Sequence, residues 1–424
     1  MNIIQLIAVA LASIYAVHWS FPKILRIAKV KGLVDNPDAR KLQQEPIPVL
    51  GGIAVFFGLL FGLLCYDGIH IILGLVQNGT AEITEYSSLY ELFPVLVGSG
   101  IMLYVGAFDD IMGLSPRARL VIEVMVMLGI VYGSGMCVDS FHGLWGIQTI
   151  SWWIAVPITV FAGVGIINAY NMIDGVNGLS SGLCIACSGI LGIIFFKRGD
   201  FADAALALCF AGALVPFYLH NVFGKSSKMF IGDAGTMVMG LMVSWFIIRV
   251  LSSHNGDTLR QTVGGNEICL VAMMLAIASV PVFDTLRVMT ARMMKGGSPF
   301  KADKTHLHHI FIITGVSHLI TGLSELLMNL VVVAMWYISY KLGVGQSGQL
   351  YATIASAAIL VWGTYLFLHY QEIHNTIMFQ KFNRASRFTH LGGRHWWVSF
   401  QKWLDSETYS AEDTTSDTEL EKQL

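Results

Sequence analysis

Residues 92–110 read LFPVLVGSGIMLYVGAFDD: seventeen residues without a charge, ending on two adjacent carboxylates. A helix needs about 20 mostly apolar residues to cross a hydrocarbon layer roughly 30 Å thick. This run comes close to that length and then stops abruptly at the most costly side chains a membrane can meet. Working outward, similar stretches occupy 3–17, 120–138, 152–167, 268–283 and 350–369. The whole chain follows the same pattern: of 424 residues 54% are hydrophobic and only 13% charged, with mean hydropathy +0.63. Soluble domains carry about 25% charged residues, so a water-soluble globule is excluded. The expected fold is an all-α, polytopic transmembrane helical bundle.

Eleven spans can be drawn (10–11 allowing for ambiguity), roughly 3–22, 49–66, 92–108, 118–137, 151–167, 179–196, 201–219, 237–252, 268–285, 318–341 and 351–369. The first is not a cleaved leader, because Lys23, Arg26 and Lys29 follow its apolar run instead of preceding it. With the N-terminus outside and the C-terminus cytoplasmic, 20 of the 26 Lys and Arg residues fall in cytoplasmic pieces. Only Lys197, Arg198 and Arg260 fall in outside loops. That is the bias of the positive-inside rule. Residues 1–370 are expected to form one membrane domain, and 371–424 a cytoplasmic tail that is disordered from about 410, where Thr, Ser, Asp and Glu dominate. Net charge is -2 with no basic tract, so nucleic acid is not an expected partner. Cys184 and Cys187 form a CxxC inside a span, where packing is the expected role, since a thiolate is costly there. Gly58/Gly62 and Gly129/Gly133 suit close helix packing, within one chain or between the two copies of a homodimer.

Five polar clusters distant in sequence face the same cytoplasmic side: Asp35 to Lys41, Asp109-Asp110, Asn168 to Asn177, Gly232-Asp233 and Asp303 to His309. Ionisable residues at membrane depth are expensive and mark function. Adjacent Asp109 and Asp110 repel unless a cation or a shared proton relieves them; alone they would also fit a solvated loop start. Asn168, Asn171 and Asp174 are spaced to share a helical face and supply oxygen ligands that suit Mg²⁺; a capped helix junction is the plainer alternative. Asp233 fits a helix N-cap or a metal ligand, and Phe230 a stacking platform or a core ring. His306, His308 and His309 lie in four residues beside Arg287, Arg292, Lys295, Lys301 and Lys304, which reads as a cationic clamp for phosphate more than as a zinc site. No GxxxxGK[ST], GxSxG or GxGxxG pattern is present.

Taken in order, DNPxxRK…PxxGG (35–52), DDIxGLxPRxR (109–119), NAYNMIDGxNGL (168–179), GDAGT (232–236) and DKTHLHH (303–309) resemble the polyprenyl-phosphate N-acetylhexosamine-1-phosphate transferases. The HLHH loop looks like the branch that starts O-antigen, enterobacterial common antigen and teichoic-acid-linker synthesis. Two positions depart from relatives: Gln43 stands where many have His, and Gly113 where some have a third acidic residue. The resemblance implies an enzyme of the bacterial cytoplasmic membrane. Undecaprenyl phosphate would attack UDP-GlcNAc, UMP would leave, and sugar-1-phosphate would remain on the lipid. Mg²⁺, or Mn²⁺ in its place, is the implied cofactor. Asp109 and Asp110 match the essential carboxylate pair, and Asp233, Asn171 and Asp174 the metal environment. Phe230 and Asn177 match positions near the uracil, and His306, His308, His309 and Arg292 the loop that handles donor phosphate or sugar. Arg40, Lys41, Asn168 and Asp303 stand in the matching motifs and are assigned to substrate binding. Asp109 is expected to orient the acceptor or take its residual proton, not to form a covalent intermediate. The competing expectations are another UDP-N-acetylhexosamine donor and, from a different class, a secondary transporter, which would hold its polar residues near the bilayer midplane.

Overall fold

The computed structural model describes residues 3–37, 45–78, 90–253, 260, 265, 267–299 and 304–408. In chain order the longer helices are α1 (Ile3–Val30), α2 (Gly51–Asn78), α3 (Phe93–Met112), α4 (Pro116–Ser134), α5 (Trp152–Met172), α6 (Leu179–Arg198), α7 (Phe201–Phe223) and α8 (Gly232–Leu251). They continue with α9 (Leu270–Ile277), α10 (Ser279–Met294), α11 (Leu307–Ile313), α12 (His318–Lys341), α13 (Gln346–Ile373), α14 (Ile377–Ser386) and α15 (His395–Thr408). Among the described residues nine helices are long and apolar enough to span a bilayer, and α9 with α10, bent by 76°, is a broken span or a re-entrant loop. The eleventh expected span, α4, is a 19-residue helix diluted by Arg117, Arg119 and Glu123. Two of those charges, Arg119 and Glu123, belong to the candidate site.

Helix α8 is the axis of the bundle. Of its apolar window 94% is buried, against 33% for α1 and 22% for α13. Large apolar side chains such as Tyr104, Trp153 and Phe161 face outward instead, as expected where the solvent is lipid. Small residues let backbones meet at α8. A Cβ on Gly106 of α3 would overlap the backbone of Ala234, and one on Gly240 would strike the backbone of Ile167 on α5. Close approach of this kind drives helix association where no hydrophobic force separates helix from lipid. Gly58 and Gly62 lie against Ser13 and Val17 or Val9 of α1, so that pair packs within the chain. All six cysteines are free, and Cys184 and Cys187 are buried.

Breaks in the helices are chemically satisfied. At the α9–α10 bend, Asn329 of α12 donates to Ile277 O (2.9 Å), while its Oδ1 accepts from Val280 N (3.1 Å) and Ser279 Oγ (3.0 Å). At one end of α8, Arg249 pairs with buried Asp203, which also accepts from Trp245 Nε1. Between α1 and α2, two short strands, Val34–Asp35 and Ile47–Pro48, pair antiparallel. They dock on the segment before α8: Phe230 N donates to Pro48 O (2.7 Å), and Gly51 N donates to Phe230 O (3.0 Å). The first loop is thereby tied to the other end of the axial helix.

Candidate active site

Helices α3, α5 and α8 end together, and their polar termini meet there. Asp110 at the end of α3 accepts from the backbone N–H of Asp233 (Oδ1, 2.9 Å) and of Ala234 (Oδ2, 3.3 Å) at the start of α8. These are amides that a helix N-terminus leaves without an internal partner. Gly232 makes this possible with φ +73°, since a side chain there would collide with Asp110. Asp233 accepts from Asn171 Nδ2 of α5 (2.5 Å), which also donates to Thr236 Oγ1 (2.7 Å). Arg119 of α4 stands between the carboxylates, with Nη1 3.6 Å from both Asp109 Oδ2 and Asp233 Oδ2. Its Nε donates to fully buried Glu123 (3.0 Å). Asp109 Oδ1 accepts from Leu114 N (2.6 Å), which closes the turn after α3.

A cavity of about 930 Å³ opens beside this cluster. Its lining includes Asp110, Asn171, Asp174, Asn177, Phe230, Asp233 and His309, all expected site residues. Asp174 accepts a short hydrogen bond from Ser180. Burial pushes its carboxyl up to about 6 despite that bond. Lys29, Lys225, Lys228 and His318 line the same cavity, and burial lowers the ammonium pKa of Lys228. The Lys228 ammonium lies 5.8 Å from the Phe230 ring centroid, so an aromatic face and a cation are presented side by side.

The histidine string is built from behind. Asp284 of α10, fully buried, meets His306 Nδ1 (2.7 Å), accepts from Leu307 N (3.0 Å) and pairs with Arg287 (2.7 Å). The three imidazoles then pack on one another, with His308 and His309 centroids 4.3 Å apart. The His308 ring fills the space a side chain at Gly175 would need, which locks the loop to the end of α5. Burial, reinforced by the neighbouring imidazoles, holds His308 well below its ordinary pKa, so it stays neutral.

Two expected substrate contacts do not face the cavity. Asn168 spends its amide nitrogen on Glu123 (2.5 Å) and Val164 O (2.9 Å), and so supports Glu123. Arg292 is buried and donates to Pro299 O (2.6 Å), holding the loop after α10. Arg40, Lys41 and Asp303 lie outside the described residues. Sequence reading missed Arg119, Glu123, Asp284, Lys228 and His318. Only Arg119 had a local signal, since it closes the DDIxGLxPRxR string.

Among the described residues no three His, Cys, Asp or Glu side chains form a ready metal-binding group. The donors at Asp233 are carboxylate and amide oxygens, a set that fits a hard divalent cation. The fold and this cluster of acid, amide and guanidinium groups define a polytopic membrane protein with a polar, charge-rich cluster at one end of its helical bundle. Residues 92–251, which contain most of that cluster, match the glycosyl transferase family 4 model. Over 319 residues the chain is 28% identical to the undecaprenyl-phosphate alpha-N-acetylglucosaminyl 1-phosphate transferase of Yersinia pestis, covering 74% of this chain and 79% of that protein. The protein of the same name from Escherichia coli K12 is 29% identical over 323 residues, 73% of this chain and 78% of its own.

Proposed function

We propose that this protein transfers N-acetylglucosamine 1-phosphate from UDP-GlcNAc to undecaprenyl phosphate, releasing UMP. A phosphate oxygen of the lipid attacks the sugar-side phosphorus of the donor. The bond from that phosphorus to the oxygen bridging to UMP breaks, and UMP leaves with the bridging oxygen. The observation that carries the reading is the convergence of Asp109, Asp110, Arg119, Asn171 and Asp233 from four helices in one cluster, of which Asp110, Asn171 and Asp233 line the cavity beside it. A transporter would need such groups near mid-span. The match to the glycosyl transferase family 4 model supports a transferase, and the relatives' names support the lipid acceptor and the N-acetylglucosaminyl 1-phosphate group.

The attacking phosphate monoester has a second pKa near 6, so at neutral pH it is mostly a dianion and needs little general-base help. The harder task is to bring two polyanions together. Arg119 and Lys228 supply fixed positive charge, and Phe230 a face for the uracil. His309 and His318 supply imidazole nitrogens at the cavity wall. Asp233, Asp174 and Asn171 would hold Mg²⁺, which when bound neutralises diphosphate charge. With its amide nitrogen committed to Asp233 and Thr236, Asn171 offers its carbonyl oxygen to such an ion. Asp109, paired to Arg119, orients the acceptor or takes its residual proton. We place the site at the cytoplasmic face of the bacterial inner membrane, with the N-terminus outside, because the Lys and Arg bias favours that orientation. The lipid product would start a cell-surface polysaccharide.

Purified protein in detergent, given labelled UDP-GlcNAc, undecaprenyl phosphate and Mg²⁺, should move label into organic-extractable lipid and release UMP. EDTA should abolish the transfer, and Asp109→Asn should slow it about 10²-fold or more. Transfer only from another UDP-N-acetylhexosamine would correct the donor, and no transfer from any would defeat the reading.

A further inference from the structure

The transfer reading leaves the C-terminal segment without a task, yet α15 reaches the cavity. Phe223, the last residue of α7, packs its ring against Trp397 (4.8 Å between centroids) and Phe400 (5.2 Å), and Leu404 is buried beneath them. Gln401 Nε2 donates to Phe223 O (3.1 Å), and Gln401 itself lines the cavity. One turn further along α15, Asp405 meets the connection between α7 and α8. Its Oδ1 accepts from Lys225 N (3.2 Å), Ser227 N (3.0 Å) and Ser227 Oγ (2.7 Å), and its Oδ2 from Ser226 N (3.3 Å). Three successive amides folded round one carboxylate form the backbone concavity that elsewhere binds free anions. Here the chain's own C-terminal helix fills it.

The clamped turn is held from a second side. Lys29 Nζ of α1 donates to Ser226 O (2.6 Å), and Ser227 Oγ lies 3.0 Å from Nδ1 of His220, whose ring stacks on Phe21. Lys225, Ser226, Lys228 and Phe230 belong to this connection and line the cavity. One carboxylate on α15 and one ammonium on α1 hold its 225–227 turn, beside the His220 contact to Ser227. An aromatic ring beside a cation suits a nucleotide better than a prenyl chain, so this wall is the donor's side.

We propose that α15 is a wall of the donor site: Asp405 is a positioning residue that holds the 225–230 turn, and Gln401 is a polar group of the donor pocket. The inference rests on the transfer reading and is tested separately from it. The full-length enzyme and its Asp405→Ala, Asp405→Glu and Gln401→Leu variants are assayed with donor and lipid acceptor varied independently, and UMP binding is measured by calorimetry on the same four proteins. Asp405→Ala should raise the KM for UDP-GlcNAc and the Kd for UMP about tenfold, the scale of hydrogen bonds lost to a charged acceptor. The KM for undecaprenyl phosphate should stay within about twofold. Asp405→Glu should recover part of the loss. Gln401→Leu keeps the clamp intact and should weaken donor and UMP by several-fold, so the proposal stays testable where Asp405→Ala does not fold. Wild-type transfer with unchanged donor KM in the variants, or equal changes in both KM values, overturns the proposal alone. A wild-type protein that neither transfers nor binds UMP overturns the transfer reading and this inference together.

Discussion

Asp110 Oδ1 accepts the backbone N–H of Asp233 at 2.9 Å, and its Oδ2 accepts that of Ala234. Neighbouring carboxylates in the sequence thus have different work. Asp110 fastens the end of α3 to the start of α8, whereas Asp109 faces Arg119. Asp110→Ala leaves two amides without an acceptor and should destabilise the protein by about 1–3 kcal/mol, with activity lost alongside. Asp109→Asn should melt near the wild type yet transfer about 10²-fold more slowly or worse. Thermal unfolding in detergent, read beside label transfer, separates the two. Equal melting losses in both variants would contradict this division of labour.

The same junction depends on backbone contact. A Cβ at Gly106 would overlap the backbone of Ala234, one residue from Asp233, and backbone has little freedom to yield. Gly106→Ala should cost about 1–3 kcal/mol and reduce transfer strongly by parting Asp110 from Asp233. Gly129 lies in α4 with nothing within 4 Å of its would-be Cβ. Gly129→Ala should leave activity unchanged and, on propensity, gain a few tenths to about 1 kcal/mol. An active, stable Gly106→Ala protein would show that the helices can separate without harm.

Much of this was legible in the sequence because the bilayer enforces length. Runs such as 92–108 and 152–167 leave little choice of element, and a carboxylate pair at the end of such a run has to be accounted for. Legibility failed where partners come from distant helices. Asn168 and Glu123 meet across 45 positions, so the i, i+3, i+6 pattern of Asn168, Asn171 and Asp174 suggested one ligand face. In the fold, the first residue of the three supports the site from behind. Asp284 sits in PVFDT, an unremarkable string, and gains meaning only when His306 folds back on it. The C-terminal helix carried no chemistry-bearing motif, and its Asp405 could not be read as a clamp without the turn it caps.

Asp284 provides a test of support as against chemistry. It is fully buried and holds His306, the Leu307 amide and Arg287 together. Asp284→Leu leaves the Arg287 guanidinium with only Thr305 O and the Tyr365 ring, and breaking a buried pair from one side costs about 3–5 kcal/mol. Adding Arg287→Met should restore most of the thermal stability, because a well-packed apolar pair can replace a buried ionic one. Transfer should stay low in the double variant, since His306 has lost its orienting carboxylate. Recovery of full activity together with stability would show that the histidine loop needs no such anchor.

The Asp405 clamp makes a prediction in pH. Partial burial opposes the charged carboxylate, but the Ser227 hydroxyl and the three amides outweigh it and hold the carboxyl below its ordinary range. In the unfolded chain an aspartate titrates near about 3.9. A carboxyl held lower in the fold contributes stability fully above that value and forfeits it as pH falls through the folded value. The difference in melting temperature between the wild type and Asp405→Asn should therefore be constant from neutral pH down to about pH 5 and shrink below about pH 4. Asp405 is only half-buried, so the difference itself will be modest and reduced by solvent screening. A gap that widened on acidification would mean that the carboxyl is protonated in the fold and that the amide concavity is held by another group.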